Sequence, residues 1–567
     1  MATATIRPDA QPRATTEATL AAARNEFESF QVVVSGRATG VKVEATPLGS
    51  GDGQIADPKL YREDLIDVRQ PSALDGATGR WPDALVPAVD DVVGEQRNAF
   101  PFDVGDGESR AVWVEYYVPQ GTKPGTYRGG VKVTSSEGEA VVPVTFTVWD
   151  FELPSTSSLR SYFNMAYGTI PAAHHLSGDA DAQLRARYAS FALDHRISIT
   201  VGDDGNDGDI DHFDRFYSPL VQGTAPTRLP GAKLTSVKLI ANMSSADDQR
   251  RWTQHARSQG WLDRLFQYTC DEPPLTCSWS DINGRTKAAH DADADLRTLV
   301  TTTIWDAGAN GVTNGIDILV PVVNWTDDKP GKSDAGDQRG RYDGFLASGK
   351  TRELWLYQSC MSHGCGGTVD IGSPSDDDRY YTGWPTYMID APAVRNRAME
   401  WISFAERATG ELYWETTFAY THDAWSNQWD FSGNGDGTLF YPGTTSRIGG
   451  QTDIPVASIR LKMIREGMED FEYLKALADA GDPQLAHDIA RKLFPNAYST
   501  DDVDAGALMQ ARGAIAARIV ELRGGQSSGV GGVMAGGCGS AGGLGGGALL
   551  ALPAVLGMAL FRRRRAQ

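Results

Sequence analysis

Among 567 residues the chain has only five cysteines, and its 53 Lys and Arg are outnumbered by 73 Asp and Glu. The resulting formal charge of -20 excludes nucleic acid as a default partner, because holding a polyanion takes a basic face. Cys270 with Cys277, and Cys360 with Cys365, lack the two-residue spacing of common zinc sites. No histidine cluster accompanies them, which argues against a metal centre. His174, His175, His255, His290, His363 and His422 are scattered and read as ordinary polar residues. No strand-like run leads into a glycine-rich phosphate cradle, and no serine sits in a nucleophile elbow. No cofactor is expected. Also missing is a secretory leader: MATATIRPDAQPRATTEATL has no apolar run of the needed length, so the true start is expected upstream.

What the chain does have is room for two or more domains, one of them a barrel of about 250 residues. From about residue 20 to 152 the runs FESFQVVVSG, VKVEATPLG, RAVWVEYYVP, GTYRGGVKVTSS and EAVVPVTFTVWDFELP alternate Val, Thr and Tyr between Gly and Pro. They predict an N-terminal antiparallel β-sandwich over residues 1–153. After Pro154 the rhythm changes, with strand-like runs beginning near residues 159, 197, 234, 264, 296, 317, 352 and 411 and helical stretches between several of them. A closing helix fits PVASIRLKMIREGMEDFEYLKALADAG. Eight such units over residues 154–480 predict a TIM (β/α)8 barrel, and residues 481–524 add helix. In the closing helix Glu466, Glu469, Asp470 and Glu472 are expected on a solvated or salt-bridged face.

The last segment, residues 525–567, runs from glycine-rich sequence through an uncharged stretch, Ser540 to Phe561, to RRRRAQ. That stretch is about long enough to cross a bilayer, and the arginines would keep its end cytoplasmic, leaving the domains outside. Cys538, the apolar stretch and the terminal arginines together resemble the surface-sorting tails of myxobacteria. The resemblance implies Cys538 as a processing point; a plain tail anchor is the alternative. An extracytoplasmic, envelope-associated location follows as an expectation. The two close cysteine pairs agree with export if each closes a small disulfide loop, the alternative being four reduced thiols.

Barrel active sites are built at the C-terminal ends of the strands. That rule selects Asp271 and Glu272, which end the strand-like RLFQYTC ahead of Pro273 and Pro274. It also selects Asn164, Tyr167, Trp305, Asp306, Asn324, Trp325, Tyr357, Gln358, Trp414 and Glu415. Aromatic rings with amides and acids suit a sugar, whose C–H faces stack while its hydroxyls are hydrogen-bonded. Two glycosidase carboxyls acting as nucleophile and acid stand at least about 5 Å apart across the bond, which adjacent residues rarely manage. A neighbouring pair suits the substrate-assisted route instead, in which a 2-acetamido oxygen attacks the anomeric carbon. One carboxylate then orients the acetamide and the other protonates the leaving oxygen. Taken alone, the same Asp-Glu-Pro-Pro step is also what a solvated loop or a helix cap looks like.

The segments NEFESFQVVV, PGTYRGGVKV, VWDFELPST, CDEPP, DGTLFYPG and RLKMIREGMEDFEYL resemble glycoside hydrolase family 123 from about residue 20 to 480. The resemblance implies a β-N-acetylgalactosaminidase-like retaining exo-hydrolase of terminal 2-acetamido sugars. It implies Asp271 as the acetamide-orienting carboxylate and Glu272 as the general acid and base. Asn324, Tyr357, Trp384 and Trp414 are expected at the sugar. The cysteines flanking the acids, and the loop SHGCGGTVDIGSPSDDDRYYTGW, depart from the family pattern and leave the substrate open. A non-catalytic surface carbohydrate-binding or structural protein, or a glycosidase of other specificity, are the alternative readings.

Overall fold

The structure, a computed structural model, describes residues 5–11, 15–51, 53–206, 208–349, 351–364 and 368–524. The expectations for the leader, for Cys365, for Cys538 and for the apolar tail fall wholly or partly outside them. Among the described residues no helix is long and apolar enough to cross a membrane.

The N-terminal region is two sheets face to face. One joins Glu26–Ser35, Ser109–Val118, Lys59–Val68 and Gly79–Pro87; the other is seven-stranded and centres on Gly125–Ser135 and Gly138–Glu152. Alternate residues meet between them, Phe30, Val112 and Val114 from one side and Val131, Val144 and Phe146 from the other, as the period-two pattern requires. The sheets are not wholly antiparallel, for Ala18–Arg24 pairs in parallel with Gly138–Glu152.

The second region is a parallel sheet of seven strands, here β1 (Arg160–Phe163), β2 (Val237–Lys238), β3 (Leu265–Cys270), β4 (Arg297–Val300), β5 (Ile318–Leu319), β6 (Glu353–Tyr357) and β7 (Gly410–Tyr413). The neighbour order β1-β7-β6-β5-β4-β3-β2 curls the sheet into a nearly closed barrel. Among the described residues seven strands pair where eight were expected. The run at 197, expected as the second strand, makes only one isolated bridge, Phe163 to Ile199. Its sequence explains the gap: hydroxyls replace the ladder, with Ser198 N–H donating to Ser161 Oγ at 2.8 Å, Thr235 N–H to Ser198 Oγ at 2.7 Å and Ser161 N–H to Thr235 Oγ1 at 3.0 Å. Buried backbone donors are satisfied without regular pairing.

The closing helix, Ile459–Asp479, separates the two expected faces in favour of the salt-bridged one, and buries it. Glu466, Glu469, Asp470 and Glu472 are all buried, between 0% and 3% exposed. The helix lies against both regions: Met463 and Ile459 pack on Trp113 and Tyr61 of the sandwich, while Leu461, Ile464 and Leu474 enter the main barrel core. Its charges are paired rather than solvated. Arg397 forks onto Asp470 at 2.5 and 2.7 Å, Arg196 reaches Glu469 at 3.1 Å, and Glu115 of the sandwich accepts from Lys462, Arg465 and Arg228 at 2.7–2.8 Å. Burial raises the Glu115 carboxyl, but Arg465, Lys462 and Arg228 more than offset this and hold it well below the usual range. Residues 5–524 accordingly fall within one compact unit.

Candidate active site

The pair that ends β3 is fixed by its own loop. Cys270 and Cys277 form a disulfide with Cα atoms 5.9 Å apart, closing the loop that carries Asp271 and Glu272. Cys360 is disulfide-bonded as well. Inside the first loop Asp271 N–H donates to Thr276 Oγ1 at 3.1 Å, the Thr276 hydroxyl returns a bond to Asp271 O, and Leu275 N–H closes on Glu272 O at 2.8 Å. Glu272 has φ +42°, a left-handed conformation that costs a non-glycine residue about 1 kcal/mol or more. Glu272 N–H is held in that position by Thr301 Oγ1 at 2.7 Å.

The two carboxyls have different surroundings. Asp271 Oδ1 accepts from Tyr268 OH at 2.7 Å and Thr301 Oγ1 at 2.8 Å. Glu272 Oε1 accepts from Tyr357 OH at 2.5 Å. Burial raises the Glu272 carboxyl above the ordinary carboxylate range; the Tyr357 bond pulls against this, and the negative Asp271 adds to it. Burial foremost, then the Glu272 charge, pushes the Tyr357 phenol well up, so it stays a donor.

Both acids line a cavity of about 310 Å³ with Tyr162, Asn164, Tyr357, Trp414, Phe431 and Asp436, at the low end of small-ligand sites. Trp414 is half-buried, its ring edge-on to Phe431 at 5.0 Å between centroids and its Nε1–H donating to Asp436 Oδ1 at 2.8 Å. Asn164 is locked by three bonds: from Tyr162 OH at 2.9 Å, from Thr200 Oγ1 at 2.9 Å, and to Glu415 Oε2 at 3.0 Å. A larger cavity, about 760 Å³, shares Lys238, Tyr268 and Asp271 with the first and extends to Arg251 and Arg285.

Of the residues expected at the sugar, Tyr357 and Trp414 line the cavity with the acid pair. Asn324 lines a separate cavity of about 260 Å³ with Trp325, Tyr380 and Tyr381, its Nδ2 donating to Met361 O at 3.0 Å and Tyr380 OH at 2.9 Å. Trp384 is corrected: it is fully buried in the core, edge-on to Tyr498 and bonded to Tyr380 O at 2.8 Å. Its distance in sequence from any strand end foreshadows this. Glu415 lies beneath the cavity wall, bonded to backbone N–H groups of Ala166, Thr416 and Thr417, and burial lifts it to about 7. Trp305 leaves the site to pack on Tyr342. Sequence reasoning missed Thr301, although it directly follows β4 and the strand-end rule reaches it. It also missed Asp436 as a site residue, since the short strand Gly433–Asn434 before it lies outside the barrel sheet and the strand-end rule does not reach it.

Comparison with known proteins follows the same lines. The glycoside hydrolase 123 N-terminal domain matches residues 5–135, and the glycoside hydrolase 123 catalytic domain matches residues 379–477; Asp271 and Glu272 lie outside both spans. Among solved structures, a family 123 glycoside hydrolase from Clostridium perfringens, described for glycolipid glycan hydrolysis, aligns with TM-score 0.60 over 88% of this chain and 95% of that one. The two are 14% identical, so the likeness is one of fold. A β-glucuronidase from Parabacteroides merdae aligns over 67% of this chain and 47% of its own at 10% identity and TM-score 0.22, too slight to carry weight. A DNA replication licensing factor Mcm6 from Anopheles gambiae is 33% identical over 73 residues, 13% of this chain, and the chain spans only 9% of that relative's length. Over these two spans, in the order sandwich then barrel, the chain is similar to the domains of glycoside hydrolase family 123, and along most of its length it shares the fold of an enzyme of that family.

Proposed function

We propose that the protein is a retaining exo-β-N-acetylhexosaminidase, β-N-acetylgalactosaminidase-like, that works through the 2-acetamido group of its substrate. The observation that carries this reading is the pair of adjacent carboxyls on one sugar-sized cavity, with Glu272 raised by burial above the ordinary carboxylate range. The acetamide oxygen attacks the anomeric carbon as the bond to the leaving oxygen breaks. Glu272 gives its proton to that oxygen, and the burial that raises its carboxyl favours the protonated form a general acid needs. Asp271, its Oδ1 already anchored by Tyr268 and Thr301, offers its other oxygen to the acetamide N–H and balances the oxazolinium charge. Glu272, now ionised, takes a proton from water, which attacks the same carbon from the leaving-group side as the bond to the acetamide oxygen breaks and the acetamide is restored. The configuration is retained after two inversions.

Trp414 offers the stacking face, and the neighbouring 760 Å³ cavity offers room for the remainder of the glycan. The Cys270–Cys277 disulfide favours an extracytoplasmic setting. The test is hydrolysis of chromogenic β-N-acetylgalactosaminide and β-N-acetylglucosaminide, beside Glu272→Gln and Asp271→Asn. Turnover of the first sugar that collapses in both variants, with inhibition by a thiazoline mimic, is expected. Glycan binding without turnover, unaffected by either substitution, would instead make the protein a carbohydrate-binding one.

A further inference from the structure

Asp436 is the acid that the scheme above does not use. It is 1% exposed, yet lies on the wall of the 310 Å³ cavity beside Trp414. Its Oδ1 accepts from Trp414 Nε1 at 2.8 Å and Tyr413 OH at 3.1 Å, and its Oδ2 accepts from His363 Nε2 at 3.1 Å. A carboxylate has about four acceptor sites, so these three donors leave one more to fill.

The chain builds carefully around this residue. Gly435 has φ +88° and Gly437 φ +67°, so the backbone on both sides of Asp436 is left-handed. A Cβ on Gly437 would stand 2.3 Å from the Trp414 ring, and one on Gly435 would stand 2.6 Å from Arg460 Nη1. Both glycines are therefore required for the turn to approach the indole and the guanidinium so closely. Arg460 clamps the turn through Gly435 O at 2.9 Å and Thr438 O at 2.6 Å, and is itself held by Asp83 of the sandwich at 2.7 Å. Two segments distant in sequence, GNGDGTL and RLKMIRE, thus serve to place one carboxylate at the sugar cavity.

We propose that Asp436 is a specificity residue that accepts a hydrogen bond from a ring hydroxyl of the sugar stacked on Trp414. This rests on the hexosaminidase reading. One carboxylate would fix both the stacking ring and the hydroxyl, so a sugar presenting that hydroxyl in the wrong orientation would leave a buried acceptor unfilled.

The experiment measures, by calorimetry, binding of methyl N-acetyl-β-D-galactosaminide and its 3-, 4- and 6-deoxy forms to Glu272→Gln protein, with and without Asp436→Asn. One deoxy sugar is expected to bind about ten- to a hundredfold more weakly than the parent while Asp436 is present. That penalty should vanish in the Asn variant, a coupling that a merely structural role would not produce. A deoxy series that is flat within about threefold, or a penalty undiminished by Asp436→Asn, overturns the proposal. Should the Asn variant misfold, the series on protein retaining Asp436 still decides. A flat series beside turnover that needs Asp271 and Glu272 sinks this proposal alone, whereas no binding of any of the four sugars and no turnover sinks the hexosaminidase reading with it.

Discussion

Tyr357→Phe removes one oxygen and tests the assigned role of Glu272. The Tyr357 hydroxyl donates to Glu272 Oε1 at 2.5 Å and is the largest influence opposing the burial that raises that carboxyl. A hydrogen bond to an ionised group is worth about 1.5–3 kcal/mol, and about 1.4 kcal/mol corresponds to one pKa unit. Glu272 is only half-buried, so the lower end applies and the acid should titrate about one unit higher in the variant. A general acid loses activity as pH rises through its pKa, so the alkaline limb of kcat/KM should move up by about one unit. The optimum should fall about tenfold from lost positioning. The assay is the pH profile of an aryl N-acetylhexosaminide from pH 4 to 10. An alkaline limb that stays in place or moves down would refute Glu272 as the acid whose proton Tyr357 governs.

Arg397→Ala would remove the forked partner of Asp470 and one of the cations beside Glu466, leaving Arg512 near both, so a loss of about 3 kcal/mol is expected in urea titration; a change under about 1 kcal/mol would show the network to be dispensable. Burial lifts Glu63, Asp194, Glu406 and Glu415 each to about 7. Between roughly pH 4.5 and 7 the folded protein therefore binds more protons than the unfolded chain, and stability falls as pH rises. Calorimetry should find a higher Tm near pH 5.5 than near pH 8, and the opposite order would contradict those burials. Replacing Cys270 and Cys277 together with serine opens the loop that carries both acids. A stability loss of about 2–3 kcal/mol is expected, with a fall in kcat/KM, and unchanged values of both would show that the proline and threonine contacts suffice.

Much of this was legible in the sequence because it is written locally. Alternating Val and Thr mark the sandwich strands, and Pro273 and Pro274 mark the end of β3, so the strand-end rule reached Asp271, Glu272, Tyr357 and Trp414 without any contact information. What was not legible depends on partners far away. Whether the acids of Ile459–Asp479 are solvated or salt-bridged stays open in the sequence, because helical spacing cannot show Glu115, Arg196, Arg397 and Arg512 closing on the same helix. Ser198 and Thr200 look like strand residues, and only the structure shows their hydroxyls taking over the ladder, accepting from the N–H groups of Thr235 and Met165. Trp384 is the same residue type as Trp414, and aromatic identity alone does not tell a core ring from a platform.

The helix Ile459–Asp479 also bears on how such proteins can be cut and recombined. Its ion pairs run to Glu115 in one direction and Arg397 in the other, and Arg512 from the C-terminal helix reaches Glu26, Glu28 and Glu466. A chain severed after residue 153 would leave Lys462 and Arg465 without their counter-ion and bare the face of Trp113. The sandwich is thus no interchangeable module: a hybrid bearing a relative's N-terminal half would assemble only if the acids and bases of the seam were transplanted as a set.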